Sequence, residues 1–357
     1  MPDKPVENSI LKLAIVSLLI AVGAYALKFI FNVVLSRHLG KTLYGDFSLG
    51  RMMMSLVGVL VLLGTATSSK KFFSKCLAMD DDHHEASSSF VTWNLRLMLL
   101  SFCFLLALLL ILTVVTMLLH LFEIKRFETY HLAFYMLWLA PILGLTILLT
   151  SYLRCNKNLY WSNVLGGAGF YFIGLLLFIP AIYFLEISMD FSHLFLFVFG
   201  ILVILLFLDV FLANHYMPSI LFNGAKNIYN EFGEASHNDK KHWRMVSFTL
   251  VLNQVIFSTV CMIDIVMVEL FANSEAKVGE YAACLTVWGL QFLLTNQVFS
   301  TFSYRISSLI DGEENKKILQ RLISSGQTLN LTISAVVFIV ICVFAKPILS
   351  TFGAHFE

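Results

Sequence analysis

Long apolar segments alternate with short polar segments along the whole chain. Each apolar segment is about 20 residues or longer, which is the length that a helix needs to cross the hydrocarbon core of a bilayer. The pattern predicts nine membrane-spanning helices, at 11–35, 44–66, 91–119, 132–153, 160–184, 192–213, 244–271, 279–304 and 324–349. We therefore predict an all-α polytopic membrane protein.

A longer polar segment separates the first six spans from the last three. We predict an N-terminal lobe at 1–215, a cytoplasmic linker at 216–243 and a partial C-terminal lobe at 244–357. Apolar residues in the linker are spaced to lie on one face of a helix, which predicts an amphipathic helix on the membrane surface.

Composition agrees with this pattern. The 357 residues are 58% hydrophobic and 13% charged, whereas soluble domains have about 25% charged residues. The net charge of +1 gives no indication of a nucleic-acid partner. The six cysteines are scattered and unpaired in spacing, and we interpret the run Asp80-Asp81-Asp82-His83-His84-Glu85 as a solvated loop. We expect no metal and no cofactor.

The distribution of lysine and arginine predicts the orientation, because cytoplasmic loops carry an excess of these residues. Most of the basic residues fall on one side if the N-terminus is cytoplasmic. The first apolar segment is too long for a signal peptide and lacks a small-residue cleavage site. We predict that it remains as the first span.

A short motif occurs twice. Gly45-Asp46-Phe47 follows the first span and Gly279-Glu280-Tyr281 follows the seventh, and both consist of a glycine, an acid and an aromatic residue. We interpret each as a turn between two spans, so that spans one to three correspond to spans seven to nine. Such internal repeats are typical of secondary transporters.

These residues and their order resemble the bacterial oligosaccharidyl-lipid flippases, within the superfamily that includes lipid II flippases and multidrug extruders. The resemblance is carried by Leu35-Ser36-Arg37-His38-Leu39-Gly40 with Tyr44-Gly45-Asp46-Phe47, and by Met262-Ile263-Asp264 with Val278-Gly279-Glu280-Tyr281-Ala282-Ala283. Weaker matches are Leu153-Arg154, Arg305-Ile306-Ser307, Lys346-Pro347-Ile348-Leu349 and Phe352-Gly353.

The resemblance implies two lobes around a central cavity and transport by alternating access. Its substrate would be an oligosaccharide on a polyprenyl diphosphate, and the location would be the bacterial inner membrane. Partners would be this lipid-linked oligosaccharide, membrane lipids, H⁺ or Na⁺, and a polysaccharide polymerase or a chain that completes the second lobe.

Three features depart from the family. The second lobe stops after three spans, Ile265 stands where the family often has a basic residue, and Tyr304 replaces a common proline. The short second lobe leaves three explanations open: a fragment, a second chain that completes the lobe, or a protein that no longer transports.

Two cations within the first spans are candidate substrate-binding residues. Lys28 and Arg51 each lie about seven residues from the outer end of a predicted helix, hence roughly 10 Å below the interface. Charged groups at that depth often face a water-filled cavity, where they would bind the phosphates that the resemblance implies. The alternative is that both side chains snorkel to the outer headgroups.

Polar residues in spans seven and eight, Asn253, Gln254, Gln291 and Asn296, are candidates for binding sugar hydroxyls or for joining helices. Asp264 is a candidate for ion coupling or a structural acid. We expect Asp209, near the inner end of span six, to snorkel. Gly45 and Gly279 are expected at the outer gate.

We predict a flippase for surface polysaccharide biosynthesis. The alternatives are drug or metabolite efflux on the same fold, which Lys28 and Arg51 disfavour, and a non-transporting or split-chain partner. An enzyme is not expected, because the outer links are short and the richest one offers only Glu123 and Glu128 as acids.

Overall fold

The computed structural model describes the chain except residues 1–3, 79–83, 122–130, 157–158, 185–189, 219–222, 224–225, 227–236, 273–274, 310–315, 354–355 and 357. Only the backbone is described at 4–18, 74–78, 84–87, 119–121, 237–239, 294–309, 316–319 and a few single helical positions. The described part of the chain is helical and contains no strand.

The helices are α1 (Lys4–Val61), α2 (Thr65–Ala78), α3 (His84–Leu121), α4 (His131–Met136), α5 (Ala140–Cys155), α6 (Leu159–Asn163), α7 (Phe170–Tyr183), α8 (Phe191–Tyr216), α9 (His237–Phe271), α10 (Glu275–Leu309), α11 (Lys316–Val343) and α12 (Ala345–Ser350). A 3₁₀ turn at Leu137–Leu139 joins α4 to α5, and a π-helix at Val164–Gly169 joins α6 to α7.

Among the described residues, seven helices are long and apolar enough to cross a membrane. Large apolar side chains on α3 face outward, including Leu100, Phe104 and Met117, which are exposed by 70%, 73% and 67%. An outward apolar surface of this kind suits contact with lipid. The predicted all-α polytopic fold is confirmed.

The first two predicted spans share α1, which bends back on itself at Gly40. The backbone there has φ 72° and ψ 176°, a conformation open mainly to glycine. The Phe31 and Phe47 ring centroids are 6.2 Å apart, whereas 16 residues of straight helix would separate them by about 24 Å. The arm before Gly40 (4–39) therefore packs antiparallel on the arm after it (41–61).

Neither glycine of the repeated motif lies at a turn. Gly45 is buried inside the second arm of α1, and the chain reverses five residues earlier, at Gly40. Gly279 lies within α10, after the reversal between α9 and α10. The prediction of turns at these glycines is wrong: both glycines are buried within helices, and Gly279 lies against the backbone of Lys41.

At one end of the molecule, here called the Gly40 end, the C-terminal segment packs on the first arm of α1. Ser36 donates a hydrogen bond from Oγ to the Phe352 carbonyl oxygen at 2.9 Å. The Arg37 Nε donates to the Thr351 carbonyl oxygen at 2.6 Å. Lys41 forms an ion pair with Glu280 of α10. The two lobes thus meet at this end.

The lobes meet again at the opposite end, here called the Gly64 end. Leu63 and Gly64 have positive φ angles of 45° and 77°, which ends α1 and starts α2 in a new direction. Ser247 of α9 donates from Oγ to Ser68 Oγ of α2 at 2.8 Å. A Cβ on Gly64 would lie 2.2 Å from the Ser247 carbonyl oxygen, so glycine permits this approach.

Most of the predicted linker at 216–243 lies outside the described residues. The helix α9 begins at His237, so the last part of that range is helical. Met217, directly after α8, is 3% exposed. The division into lobes and an amphipathic linker stays a prediction.

Candidate substrate cavity between the lobes

A cavity of about 610 Å³ lies between the segments that we predict as the two lobes, on the Gly64 side of the contact between α1 and α10. Ligand sites of proteins are typically about 300–1,000 Å³. The first lobe contributes lining residues from α1, α5 and α7, and the second lobe contributes Gln254, Gly289, Phe292 and Leu293.

Two cations line this cavity. The Lys28 side chain reaches across to the second lobe, since a Cβ built on Gly289 would lie 3.5 Å from Lys28 Nζ. Arg154 lies at the Gly64 end, where it donates to Ser162 Oγ and to Asn163 Oδ1, both at 3.2 Å. Among the described lining residues, these two carry charge and both are positive.

Arg51 lines a second, adjoining cavity of about 320 Å³. Its Nη1 donates a hydrogen bond to the Tyr171 hydroxyl at 2.5 Å, and its guanidinium carbon lies 5.4 Å from the Tyr171 ring centroid. Tyr171 lines both cavities. It therefore stands between Arg51 on one side and the Lys28 cavity on the other.

The π-helix shapes the wall that the two cavities share. Gly166 and Gly167 line both of them with bare backbone. Within the same π-helix, a Cβ on Gly169 would lie 2.8 Å from Leu205 Cδ2, so this glycine brings α8 close. π-Helical turns inside α-helices are frequent at functional sites.

Hydrogen bonds near the cavity join both arms of α1 to α10. The Tyr25 hydroxyl donates to the Thr286 carbonyl oxygen and lies 3.1 Å from the Val287 carbonyl oxygen. Buried Tyr44 donates to Asn32 Oδ1 at 3.2 Å, and its hydroxyl is 3.4 Å from Thr286 Oγ1. These contacts close the Gly40 side of the cavity.

The structure brings together only some of the candidate residues. Lys28 and Gln254 line the interlobe cavity, and Arg51 lines the adjoining one. Asn253 is exposed, although it precedes Gln254, because neighbouring helical residues point about 100° apart. Gln291 is buried at 8% exposure and does not line the cavity, and the Asn296 side chain lies outside the described residues.

Asp264 lies apart from the substrate cavity. It lines a third, largely apolar cavity of about 420 Å³ in the second lobe, with Tyr281, Cys284 and Trp288 from α10. A role in ion coupling therefore requires an effect transmitted through α9 and α10. That role stays a prediction.

Arg154, Tyr25 and Tyr171 are cavity residues that were not selected from the sequence. Arg154 belongs to the Leu153-Arg154 pair that contributed to the resemblance, so a signal for it existed. Tyr25 and Tyr171 gave no such signal. Aromatic residues make up 14% of the chain, so two tyrosines among them do not stand out as site residues.

Metal binding finds no support in the described residues, where no group of three His, Cys, Asp or Glu side chains is placed to hold a metal ion. Most of the acidic run at 80–85 lies outside the described residues.

Comparisons with known proteins agree with a transporter. No curated protein and no solved structure matches the chain. The family model MatE matches residues 249–357. MatE proteins are transporters and not enzymes. Residues 249–357 are thus similar to a family of transporters.

Proposed function

We propose that the protein flips a polyprenyl-diphosphate-linked oligosaccharide across the bacterial inner membrane by alternating access. The observation that carries this proposal is the placement of Lys28 and Arg51 on either side of Tyr171. Lys28 lines the interlobe cavity, and Arg51 lines the adjoining cavity within the first lobe. Surface polysaccharide biosynthesis is the process that this activity would serve.

The charges of the cavities support an anionic substrate. A cation inside the membrane is costly unless water or an anion surrounds it. Lys28, Arg51 and Arg154 together supply ammonium and guanidinium donors, and guanidinium matches phosphate oxygens with two parallel hydrogen bonds. A diphosphate carries the charge that such a set would neutralise. A cationic drug would be repelled.

The polar groups around the cations support a sugar-containing substrate. Thr67, Thr150, Ser151, Asn163 and Gln254 line the interlobe cavity. Their hydroxyl and amide groups both donate and accept hydrogen bonds, as sugar hydroxyls do. The lipid tail would stay in the bilayer while the headgroup occupies the cavity.

The proposed orientation has the Gly64 end in the cytoplasm. Exposed basic residues lie near this end, including Lys71, Lys241 and Arg244, as expected for a cytoplasmic surface. The cavity would take its substrate beside Arg154, and the contacts at the Gly40 end would form the outer gate with Gly45 and Gly279. Transport would be coupled to H⁺ or Na⁺, with Asp264 as a candidate carboxylate.

Complementation tests this function. The full chain is expressed in a bacterium that lacks its own oligosaccharide flippase, and surface glycan is measured beside the internal lipid-linked pool. We expect export from the wild type and accumulation of the internal pool with Lys28→Ala combined with Arg51→Ala.

A matched variant, Lys241→Ala combined with Lys277→Ala, removes two exposed cations away from the cavities. We expect it to export like the wild type at equal protein levels. Equal export by both double variants would remove the cationic cavities from the mechanism. Failure of the wild type in hosts with several glycans would reject the flippase assignment.

A further inference from the structure

Asp209 of α8 is buried inside the first lobe. It was expected to snorkel toward the membrane surface, but its exposure is only 1%. Its side chain lines the cavity of about 320 Å³ that also contains Arg51. The expectation fails because the packing of α8 on α5 and α7 turns this face of the helix inward.

One oxygen of the Asp209 carboxylate is buried without a partner among the described residues. Its Oδ1 accepts no hydrogen bond there. Arg51, the cation on the same cavity, donates instead to Tyr171. A buried carboxylate oxygen without a hydrogen-bond donor is unfavourable, and a proton or a bound cation on it would remove that cost.

Three hydroxyl side chains line the same cavity as the carboxylate. Ser55, Thr146 and Thr150 line it. Thr146 donates its hydroxyl proton to the Leu143 carbonyl oxygen at 2.8 Å, and Thr150 donates to the Thr146 carbonyl oxygen at 2.9 Å. Because these protons are directed back to α5, the hydroxyl oxygens keep lone pairs for a cation. Hard cations prefer oxygen ligands of this type.

The charges of the side chains that line the cavity favour a monovalent cation over a divalent one. Asp209 supplies one negative charge, and Arg51 already places one positive charge on the same cavity. Tyr171 is the other titratable group on the described lining. Because the charges of Asp209 and Arg51 cancel, a bound monovalent cation leaves a net charge of +1 on the cavity, whereas a divalent ion would leave +2 in a buried space.

We propose that Asp209 is a binding site for a monovalent cation, a proton or a sodium ion, within the first lobe. The site is separate from the third cavity that contains Asp264. Loading of Asp209 removes the negative charge that partly offsets Arg51, so it strengthens the binding of an anion there. This last consequence makes Asp209 a coupling residue and rests on the proposed function, whereas the cation site does not.

Two measurements on the purified full chain test the site without any transport assay. The first is equilibrium binding of ²²Na⁺. The second is labelling by dicyclohexylcarbodiimide, a lipid-soluble reagent that reacts with protonated carboxyl groups, followed by peptide mass mapping. We expect Asp209 to be labelled increasingly as pH falls. Protection by Na⁺ identifies sodium as a ligand, and labelling unaffected by Na⁺ identifies the proton alone.

Asp209→Asn keeps the shape of the side chain and is expected to lose the label and to reduce saturable ²²Na⁺ binding. Asp190→Asn, at an exposed position outside the cavities, is the matched control and should leave both signals at Asp209 at the wild-type level. If Asp209→Asn does not fold, the peptide map of the wild type still identifies the labelled residue. An unlabelled Asp209 at every pH, together with ²²Na⁺ binding absent or unchanged in Asp209→Asn, would overturn the proposal. A failed complementation with a labelled Asp209 would reject only the flippase function.

Discussion

Gly279 of α10 lies directly against the backbone of Lys41 in the α1 hairpin. A Cβ added to Gly279 would stand 2.1 Å from the Lys41 carbonyl oxygen. This contact involves backbone on both sides, so no side-chain rotation can relieve it. The Lys41–Glu280 ion pair lies beside it. The second glycine of the repeated motif is therefore a contact point between the lobes.

Gly279→Ala is expected to destabilise this contact. Overpacking of a close contact costs about 1–3 kcal/mol, so the purified variant should have a lower melting temperature and lower export. Gly200→Ala is the control, because a Cβ on Gly200 meets nothing within 4 Å. Alanine also favours the helix there, so its melting temperature should be unchanged or higher. Equal melting temperatures for the two variants would contradict the close approach.

Phe352→Ala should loosen the C-terminal segment at the Gly40 end. Phe352 is fully buried and packs edge-on against Phe29, with ring centroids 5.5 Å apart. Removing such a ring typically costs about 3–5 kcal/mol. The expected result is a lower melting temperature. A Ser36→Cys reporter should also be labelled faster by a thiol reagent, because residue 36 is buried and contacts the backbone of Phe352.

Phe344→Ala is the control for Phe352→Ala, because Phe344 is 52% exposed. It should leave both the melting temperature and the labelling rate near the wild-type values. The same labelling rate in both variants would mean that Phe352 does not hold the segment in place.

A disulfide at the Gly64 end should stop transport reversibly. The Oγ atoms of Ser68 and Ser247 are 2.8 Å apart, and a disulfide brings its sulfurs to about 2 Å. In a background without the six native cysteines, Ser68→Cys with Ser247→Cys is expected to lose transport on oxidation and regain it on reduction. Transport is measured in proteoliposomes as exposure of a short-chain polyprenyl-diphosphate sugar to an external lectin.

Each single cysteine variant is the control and should be insensitive to the oxidant. Full transport by the oxidised double variant, with the disulfide confirmed by mass spectrometry, would show that the Gly64 end does not open during the cycle.

Tyr171→Phe isolates the role of one hydroxyl. The ring that lies under the Arg51 guanidinium remains, but the hydrogen bond at 2.5 Å is lost. Hydrogen bonds to charged groups contribute about 1.5–3 kcal/mol, so affinity for the diphosphate headgroup should fall by about 10-fold or more. The measurement is binding of a short-chain polyprenyl diphosphate to the purified protein.

Tyr171 is expected to act by positioning Arg51. Combining Tyr171→Phe with Arg51→Ala should therefore reduce affinity no further than Arg51→Ala alone. Tyr135→Phe, at a position that is 41% exposed, should bind like the wild type. Additive losses in the double variant would show that Tyr171 contacts the ligand independently of Arg51.

The helices and their apolar faces could be predicted from the sequence because of one physical constraint. A chain in lipid must satisfy its backbone hydrogen bonds internally, and apolar segments of sufficient length do so as helices. The long spans and the placement of Lys28 and Arg51 within α1 follow from this constraint alone. The depth of Lys28 and Arg51 below the membrane interface then indicated that both side chains lie in polar surroundings.

The position of the α1 turn depended on packing. Gly40 and Gly45 lie close together in sequence, and either could reverse the chain. The pairing of Phe31 with Phe47 puts the reversal at Gly40. A long-range contact of this kind leaves no trace in local sequence.

The sequence by itself determined that this chain is a helical membrane protein with cations inside its first two spans. Tertiary structure alone decided which polar groups share a cavity: Gln254 and not Asn253, Arg154 with Lys28, and Asp209 with Arg51. The physical reason is that helical periodicity relates residues only along one helix. The rotation and spacing of separate helices come from side-chain packing between distant segments, such as Gly169 against Leu205 and Gly279 against Lys41.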